Sequence, residues 1–146
     1  MSAFPPIAQL MPHRGPMVLL ERMLSWSPGQ TECGMQVRAG TRFVEEDGLR
    51  APFTIEHMAQ SVAACLGYEA YLGGRGVRVG MIVSCRAFHA HMPSASVGDE
   101  LVVKANRERG NESLSHFDCE VRKDKALFAT ASLTLFHGET LTESAL

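Results

Sequence analysis

The chain has 146 residues, of which 45% are hydrophobic and 21% are charged, and its formal net charge at pH 7 is −2. This length and balance predict one globular domain, residues 1–146, with a sizeable core. The charge lacks the basic footprint of nucleic-acid binding, so we expect no nucleic-acid partner. No apolar run approaches the roughly 18 residues of a membrane span. Residues 1–10 lack the basic start and apolar core of a signal peptide, so we expect a cytoplasmic protein without a membrane partner.

Before residue 54 the sequence patterns are short. A turn signal lies at Ser27-Pro28-Gly29-Gln30. Apolar residues alternate just after it, at Cys33, Met35 and Val37, which predicts a half-buried strand. A helical turn is predicted at residues 7–11, and residues 17–25 either start a sheet or lead into one. The half-buried strand covers residues 31–37, and a polar loop is predicted at residues 39–51.

One long apolar helix is predicted at residues 54–72. Its apolar residues fall at helical spacing, at Ile55, Met58, Ala59, Val62, Ala63 and Leu66. A helix with so little polar surface is usually surrounded by the rest of its domain. Thr54 is a candidate N-cap residue, and Gly73-Gly74 is a signal for the C-terminal end.

Glu56 is the acidic residue at the head of this helix. With Gln60, Ala63 and Gly67 it forms a narrow stripe, polar at its start and small afterwards, along which a thin ligand or another backbone can lie. A carboxylate is costly to bury without a partner or a role. The alternative is a purely structural residue, since the helix dipole stabilises an acid at a helix start by about 0.3–1 kcal/mol.

After the helix the apolar pattern changes to a period of two, and strands are predicted at residues 77–92, 100–108, 114–123 and 127–137. The connections at residues 109–111 and 123–125 have hairpin length, so these strands are expected to be antiparallel. Residues 138–146 are expected to form a frayed tail. A long apolar helix followed by such a sheet indicates an α+β hot-dog fold, in which a curved antiparallel sheet wraps the helix. Its open edge strands favour a dimer with a continuous sheet.

Three segments of the chain resemble the 3-hydroxyacyl-[acyl-carrier-protein] dehydratases. Residues 10–22, which begin Leu-Met-Pro-His-Arg-Gly-Pro, resemble the N-terminal Leu-Pro-His-Arg-x-Pro segment of that family. Residues 55–60, Ile-Glu-His-Met-Ala-Gln, resemble its central helix, which reads Glu-Ala-Met-Ala-Gln. Arg86-Ala87-Phe88, with Pro93 and residues 97–101, resembles the strand and turn that follow. Residues 79–93 look closer to a divergent branch with dehydratase-like proteins encoded with aryl-polyene and related polyketide pathways.

The resemblance implies dehydration of 3-hydroxyacyl thioesters carried on acyl carrier protein, in fatty-acid or polyketide-like biosynthesis. Such an elimination needs a base for the C2 proton, an acid for the departing hydroxyl and donors for the thioester oxygen. In the family a histidine and a carboxylate from opposite subunits share the proton transfers, and Glu56 matches the carboxylate. The family's histidine lies in a Gly-His-Phe-Pro-Gly segment before the helix, whereas residues 43–52 here contain no histidine. No metal or other cofactor is implied, since the phosphopantetheine arm belongs to the carrier.

The candidate catalytic residues are therefore Glu56 and His13. Gln60, one helical turn from Glu56, either holds that carboxylate or merely caps the polar stripe. We expect backbone N–H groups at the helix start and near Gly80 to polarise the thioester. His57 lies about 100° around the helix from Glu56, which favours a packing or interface role over a site role. The alternative for His13 is that it only fixes the N-terminal turn through hydrogen bonds. The candidate substrate-binding residues are Phe53, Thr54, Ile55, His57, Gln60, Gly80 and Met81.

Two further functions remain open at this point. The absent histidine favours a non-catalytic, acyl-binding subunit that forms a heterodimer with an active dehydratase homologue, as an alternative to a homodimer. The second open function is that of a hot-dog thioesterase, in which Glu56 directs water or attacks the thioester. The acyl group is carried either by acyl carrier protein or by coenzyme A. His89-Ala90-His91 places two imidazoles on one face of a predicted strand, but an exposed polar face is the simpler interpretation. The scattered cysteines indicate reduced thiols, so we expect no metal site.

Overall fold

The computed structural model describes residues 4–76, 79–111 and 113–138. The first two residues of the strand predicted from residue 77, and the expected tail after residue 138, lie outside these ranges. Of the helices in the described ranges, none combines the length and the apolar composition that crossing a membrane requires.

The central helix, α1, spans Thr54–Leu72, as its periodicity predicts. The expected N-cap role of Thr54 is wrong, because a single 3-10 turn at Ala51–Phe53 runs directly into the helix. Phe53 therefore occupies the cap position with helical backbone angles, φ −71° and ψ −15°, and no side chain caps the helix. The hydroxyl of Thr54 instead donates to the carbonyl of Ala51, at 2.6 Å. Gly74, with φ of +71°, terminates the helix as predicted.

Nine strands are present in the described residues. In chain order they are β1 (Arg22–Ser27), β2 (Gln30–Gln36), β3 (Val44–Glu45), β4 (Gly48–Arg50), β5 (Val79–Ala90), β6 (Ser94–Ala95), β7 (Glu100–Gly110), β8 (Leu114–Lys123) and β9 (Ala126–Gly138). Six of them form one sheet in the order β1-β2-β7-β8-β9-β5, and every neighbouring pair is antiparallel. The predicted hairpins between β7, β8 and β9 are thus confirmed.

The large sheet wraps α1, which confirms the hot-dog arrangement. The helix contacts β2, β5, β7, β8 and β9. Residues on the inner face of the sheet alternate with exposed or half-buried ones, so that Val103, Phe117, Val121 and Leu133 are buried together with Met58 and other helix residues in one core. This alternation is the period of two that the sequence shows.

A second, three-stranded sheet has the order β3-β4-β6. Two of its strands lie within residues 39–51, so the prediction of a loop there is wrong in part. These strands have only two or three residues each, too few for a period of two to be visible in the sequence. At the edge of the large sheet, β5 ends at Ala90, and the expectation that His89 and His91 share one strand face is therefore also wrong.

The N-terminal segment crosses the small end of the helix stripe. A Cβ atom at Gly67 would collide with the backbone carbonyl of Leu10. Only glycine admits this close approach. At Gly67 the stripe therefore accommodates another backbone, which was one of the two expectations, the other being a thin ligand. The crossing brings Pro12 and His13 to the beginning of the stripe, next to Glu56.

Candidate active site

Glu56 and His13 lie next to each other at the head of α1. The Nε2 atom of His13 is 3.4 Å from the Oε1 atom of Glu56. Arg14 stabilises the turn that carries His13, because its Nη1 atom donates to the carbonyls of Met11, at 2.9 Å, and of His13, at 2.7 Å. Two candidates from distant parts of the chain thus form one bonded pair.

Gln60 connects this pair to the N-terminal segment. Its Nε2 atom donates to Glu56 Oε1, at 3.2 Å, and to the carbonyl of Met17, at 2.7 Å. Its Oε1 atom accepts from the backbone N–H of Leu19, at 2.9 Å. The side chain is completely buried. Gln60 therefore holds one carboxylate oxygen of Glu56 and fixes residues 17–19 against the helix.

The surroundings of Glu56 favour its charged form. The hydrogen bond from His13 lowers the pKa of the Glu56 carboxyl, burial opposes this shift, and the hydrogen bond from Gln60 adds to it. The Nδ1 atom of His13 is buried and has no hydrogen-bond partner among the described residues. A proton on Nε2, which is 3.4 Å from Glu56 Oε1, faces the carboxylate. The pair is therefore suited to act as an oriented carboxylate base.

Glu56 faces a cavity of about 250 Å³ beside the helix. Four helix residues at helical spacing form one side of it, and the distance along the axis from Glu56 to Leu66 is about 15 Å. Alanines between them leave room for a narrow ligand. The opposite side belongs to β5 and β9. The lining residues are Pro12, His13, Glu56, Ala59, Ala63, Leu66, Gly80, Ile82, Leu135 and His137.

The structure does not bring residues 53–55 into this cavity. Phe53 stacks on Phe43, with 5.0 Å between ring centroids, and Ile55 packs against the core. The backbone N–H of Thr54 already donates to the carbonyls of Ala51 and Pro52. It is therefore not free for a thioester oxygen, and that expectation is wrong for Thr54 because the 3-10 turn consumes the first amide of the helix.

His57 and Met81 are also placed elsewhere. His57 lines a separate cavity of about 240 Å³, together with Arg38 and Arg42. Its Nδ1 atom is 3.2 Å from the carbonyl of Phe53, and burial lowers the pKa of its imidazole. Met81 is 63% exposed, since it alternates along β5 with residues that face the cavity. Of the seven candidate substrate-binding residues, Gly80 lines the cavity and Gln60 supports it from behind.

One cavity residue, His137, was missed at the level of the sequence. It lies on β9, and its Nε2 atom is 2.9 Å from the hydroxyl of Ser115 on β8. A signal was present, because His137 is in phase with Leu133 and Leu135, whose side chains face the helix. A histidine in an inward-facing register of a predicted strand is a candidate site residue.

The other cysteine, histidine and acidic side chains of the described residues do not form a metal centre or a reactive thiol site. No group of three or more His, Cys, Asp or Glu side chains in the described ranges is arranged to hold a metal ion. Cys33, Cys65 and Cys119 are buried free thiols. Burial raises the pKa of Cys33 and of Cys65 to about 12. Neither is therefore a thiolate nucleophile at neutral pH.

The chain is similar to known proteins both in its sequence profile and in its fold. The profile of the ApeP-like family, described as ApeP dehydratase, matches residues 5–145. The fold is similar to the dehydratase heterocomplex ApeI:P from Xenorhabdus doucetiae, with 22% identity, a TM-score of 0.87, and coverage of 97% of this chain and 95% of that chain. No curated protein sequence matches the chain.

Two further solved structures share the fold at lower identity. One is a hypothetical thioesterase with coenzyme A from Streptococcus pneumoniae TIGR4, with 9% identity, a TM-score of 0.64, and coverage of 83% of this chain and 88% of that chain. The other is PaaI from the phenylacetic acid degradation operon of E. coli, with 14% identity, a TM-score of 0.61, and coverage of 79% and 81%. These likenesses concern the fold alone.

Proposed function

Since the chain belongs to the ApeP-like dehydratase family, we propose that it takes part in the dehydration of 3-hydroxyacyl thioesters, in aryl-polyene or related polyketide biosynthesis in the cytoplasm. The observation that carries the proposal is the Glu56 carboxylate, bonded to His13 and Gln60, on the wall of a narrow and mostly apolar cavity. Acyl carrier protein is the proposed carrier, and coenzyme A would present the same thioester.

In this mechanism Glu56 removes the C2 proton of the bound acyl group. His13 donates its Nε2–H to the carboxylate and Gln60 restrains the same oxygen, so the base is charged and oriented before the substrate arrives. The C2–C3 double bond then forms and the C3–O bond breaks. The departing hydroxyl needs a proton to leave as water, and the thioester oxygen needs donors as negative charge develops on it.

We infer that a second hot-dog subunit supplies what this chain lacks. The family's histidine has no counterpart in residues 43–52. The cavity lies against β5, which is the edge strand of the large sheet in the described part of the chain. The exposed face of that edge carries Met81 and Val83, which are 63% and 54% exposed. An open edge with apolar side chains is suited to pairing with another strand, and the proposed partner is a dehydratase homologue that carries the missing histidine.

The test is mass spectrometry of a 3-hydroxyacyl carrier protein incubated with the purified chain, with an active dehydratase homologue, and with both. We expect the mixture to remove water faster than the sum of its components, and light scattering to show a heterodimer. Glu56→Gln should lower that gain by at least about 100-fold, which is typical for the loss of a general base.

Glu46→Gln is the matched control, because Glu46 is an exposed glutamate outside the cavity, and it should leave the rate unchanged. Release of free acyl acid instead of an enoyl product would assign the chain to the thioesterases. A mixture no faster than its components, together with an inactive chain, would refute the dehydratase proposal.

A further inference from the structure

The cavity that Glu56 faces has an exposed end and a buried end. At the first end the side chain of Glu56 is 32% exposed, so this end is open to solvent. Ala59 and Ala63, the next residues of the helix wall, are half-buried. Leu66, the last residue of that wall, is 3% exposed. A thioester therefore enters beside Glu56, and its apolar acyl chain extends towards Leu66.

Backbone closes the helix groove beside Leu66. The carbonyl of Leu10 lies where a side chain at Gly67 would begin. That carbonyl belongs to a fixed turn, because Leu10 is buried and its N–H donates to the carbonyl of Ile7, at 2.9 Å. Leu66 is itself part of the hydrophobic core. An acyl chain that reaches Leu66 therefore cannot continue along the helix.

The distance between the two ends corresponds to a short acyl chain. The positions of Glu56 and Leu66 are about 15 Å apart along the helix axis. A hydrogen-bond distance at the carboxylate and a van der Waals contact of about 4 Å at the leucine leave roughly 8 Å for the chain beyond C2. An extended chain advances by about 1.3 Å per C–C bond, so roughly six bonds beyond C2 fit, and the chain has about eight carbons.

The volume of the cavity leads to the same length independently. An apolar cavity of about 150 Å³ accommodates one benzene molecule, which corresponds to about 25 Å³ per non-hydrogen atom. At that density a cavity of about 250 Å³ has room for roughly ten non-hydrogen atoms. A 3-hydroxyoctanoyl group, with its eight carbons and two oxygens, has about this size.

We propose that Leu66, backed by the crossing of Leu10 over Gly67, is the end wall that limits the bound acyl chain to about eight carbons. Leu66 is thereby the residue that determines specificity for acyl length. The inference rests on the substrate class of the proposed function but not on turnover, because it concerns binding alone. A longer acyl group leaves part of its chain outside the cavity.

Leu101 is a matched control for Leu66. It is an equally buried leucine on β7, 1% exposed and outside the cavity. Leu66→Ala and Leu101→Ala delete the same atoms and both weaken core packing, but only the first moves the end wall. Ala63→Leu is the opposite change, because it adds those atoms to the helix wall about one turn before Leu66. Since it fills the cavity and leaves the core intact, it tests the inference even where Leu66→Ala does not fold.

The experiment is isothermal titration of the full chain with a series of saturated ligands, from 3-hydroxybutanoyl- to 3-hydroxydodecanoyl-pantetheine. For the wild type we expect the Kd to fall by up to about 4-fold for each added methylene as far as 3-hydroxyoctanoyl, and no further beyond it. Leu66→Ala should move the tightest binding to 3-hydroxydecanoyl or longer. Ala63→Leu should move it to 3-hydroxyhexanoyl or shorter, and Leu101→Ala should leave it unchanged.

Four outcomes would overturn the inference. They are no binding by the wild type, a Kd that falls through the whole series, a length limit that stays in place in the folded Leu66 and Ala63 variants, and an equal shift in Leu101→Ala. Thermal melting of each variant shows whether it is folded. A uniform loss of affinity at all lengths, with the limit in place, would mean that Leu66 has a structural role alone.

Mass spectrometry of the same ligands, incubated with the chain and the dehydratase homologue, separates the two proposals. A length limit that moves with Leu66, without any enoyl product, refutes the dehydratase function and leaves the end wall intact. Enoyl product together with an unmoved limit in both variants does the opposite.

Discussion

Replacing Gln60 with leucine tests whether this side chain holds the N-terminal segment on the helix. The substitution keeps the approximate shape but removes three hydrogen bonds, to Glu56, Met17 and Leu19. The N–H of Leu19 is buried and would have no acceptor, which costs about 1–3 kcal/mol. The Met17 carbonyl is only partly buried and can bond water instead, so its loss is nearer the net value of about 0.5–1.5 kcal/mol.

These two terms add to about 1.5–4.5 kcal/mol, and the apolar burial of the leucine offsets part of that sum. We therefore expect the free energy of unfolding to fall by about 2 kcal/mol. Urea denaturation followed by circular dichroism measures it, with an unchanged m-value as the sign that the folded state is otherwise the same. Gln36→Leu is the control, because Gln36 makes an exposed bond to the carbonyl of Gly98, at 3.2 Å, and its loss should stay within about 0.5 kcal/mol.

The same variant also affects the carboxylate. Loss of the Gln60 donor should raise the pKa of Glu56, because one of the two side-chain bonds that lower it is gone. The acidic limb of the pH–rate profile of the proposed complex would then move to higher pH. A Gln60→Leu protein with the stability of the wild type, or with an unmoved acidic limb, would refute the role described for this residue.

Three further predictions concern packing, pH and the sheet edge. Gly67→Ala should destabilise the fold by at least about 1 kcal/mol, because its Cβ collides with a backbone carbonyl of the N-terminal segment. Gly76→Ala is the control and should be near neutral, because a Cβ atom there meets nothing within 4 Å. Equal urea midpoints for the two variants would contradict the packing role of Gly67. Burial lowers the pKa of His57 from 6.5, so the unfolded chain binds that proton more readily and stability is lost as pH falls below 6.5. His57→Leu should therefore lose less stability than the wild type between about pH 7 and 5. If the free energies of unfolding of the two proteins fell in parallel with pH, the lowered pKa of His57 would be contradicted. Val83→Lys on the open edge should weaken association with the dehydratase homologue, measured by light scattering. Val97→Lys is the control and should not weaken it, because Val97 is a similarly exposed valine in the turn before β7.

The residues of the site differ in how well the sequence predicts their placement. Glu56 and Gln60 are one helical turn apart, so their contact follows from helix geometry once the helix is recognised. His13 meets Glu56 only because the N-terminal segment crosses the helix at Gly67. That crossing is a contact between distant segments, and the resemblance to a family, not any local pattern, selected His13 beforehand.

The misplaced candidates have physical explanations as well. The Thr54 N–H was expected to be free, but the preceding 3-10 turn uses it, and one extra turn before a helix leaves little trace in the sequence. Met81 was assigned to the site together with Gly80, although neighbouring residues of a strand point to opposite faces. His137 was overlooked although its register with Leu133 and Leu135 is visible in the sequence, and its place on the cavity wall follows from the pairing of β9 with β5.

By itself, the sequence determined the extent of α1, the antiparallel order of β7, β8 and β9, and the family to which the chain belongs. These features depend on periodicity, turn residues and short motifs, all of which act between near neighbours along the chain. The tertiary structure alone decided which polar groups share the cavity. The contacts of Glu56 with His13, and the position of His137 on the same cavity wall, join segments from both ends of the chain. Such contacts depend on how the sheet curves around the helix, which no local pattern encodes.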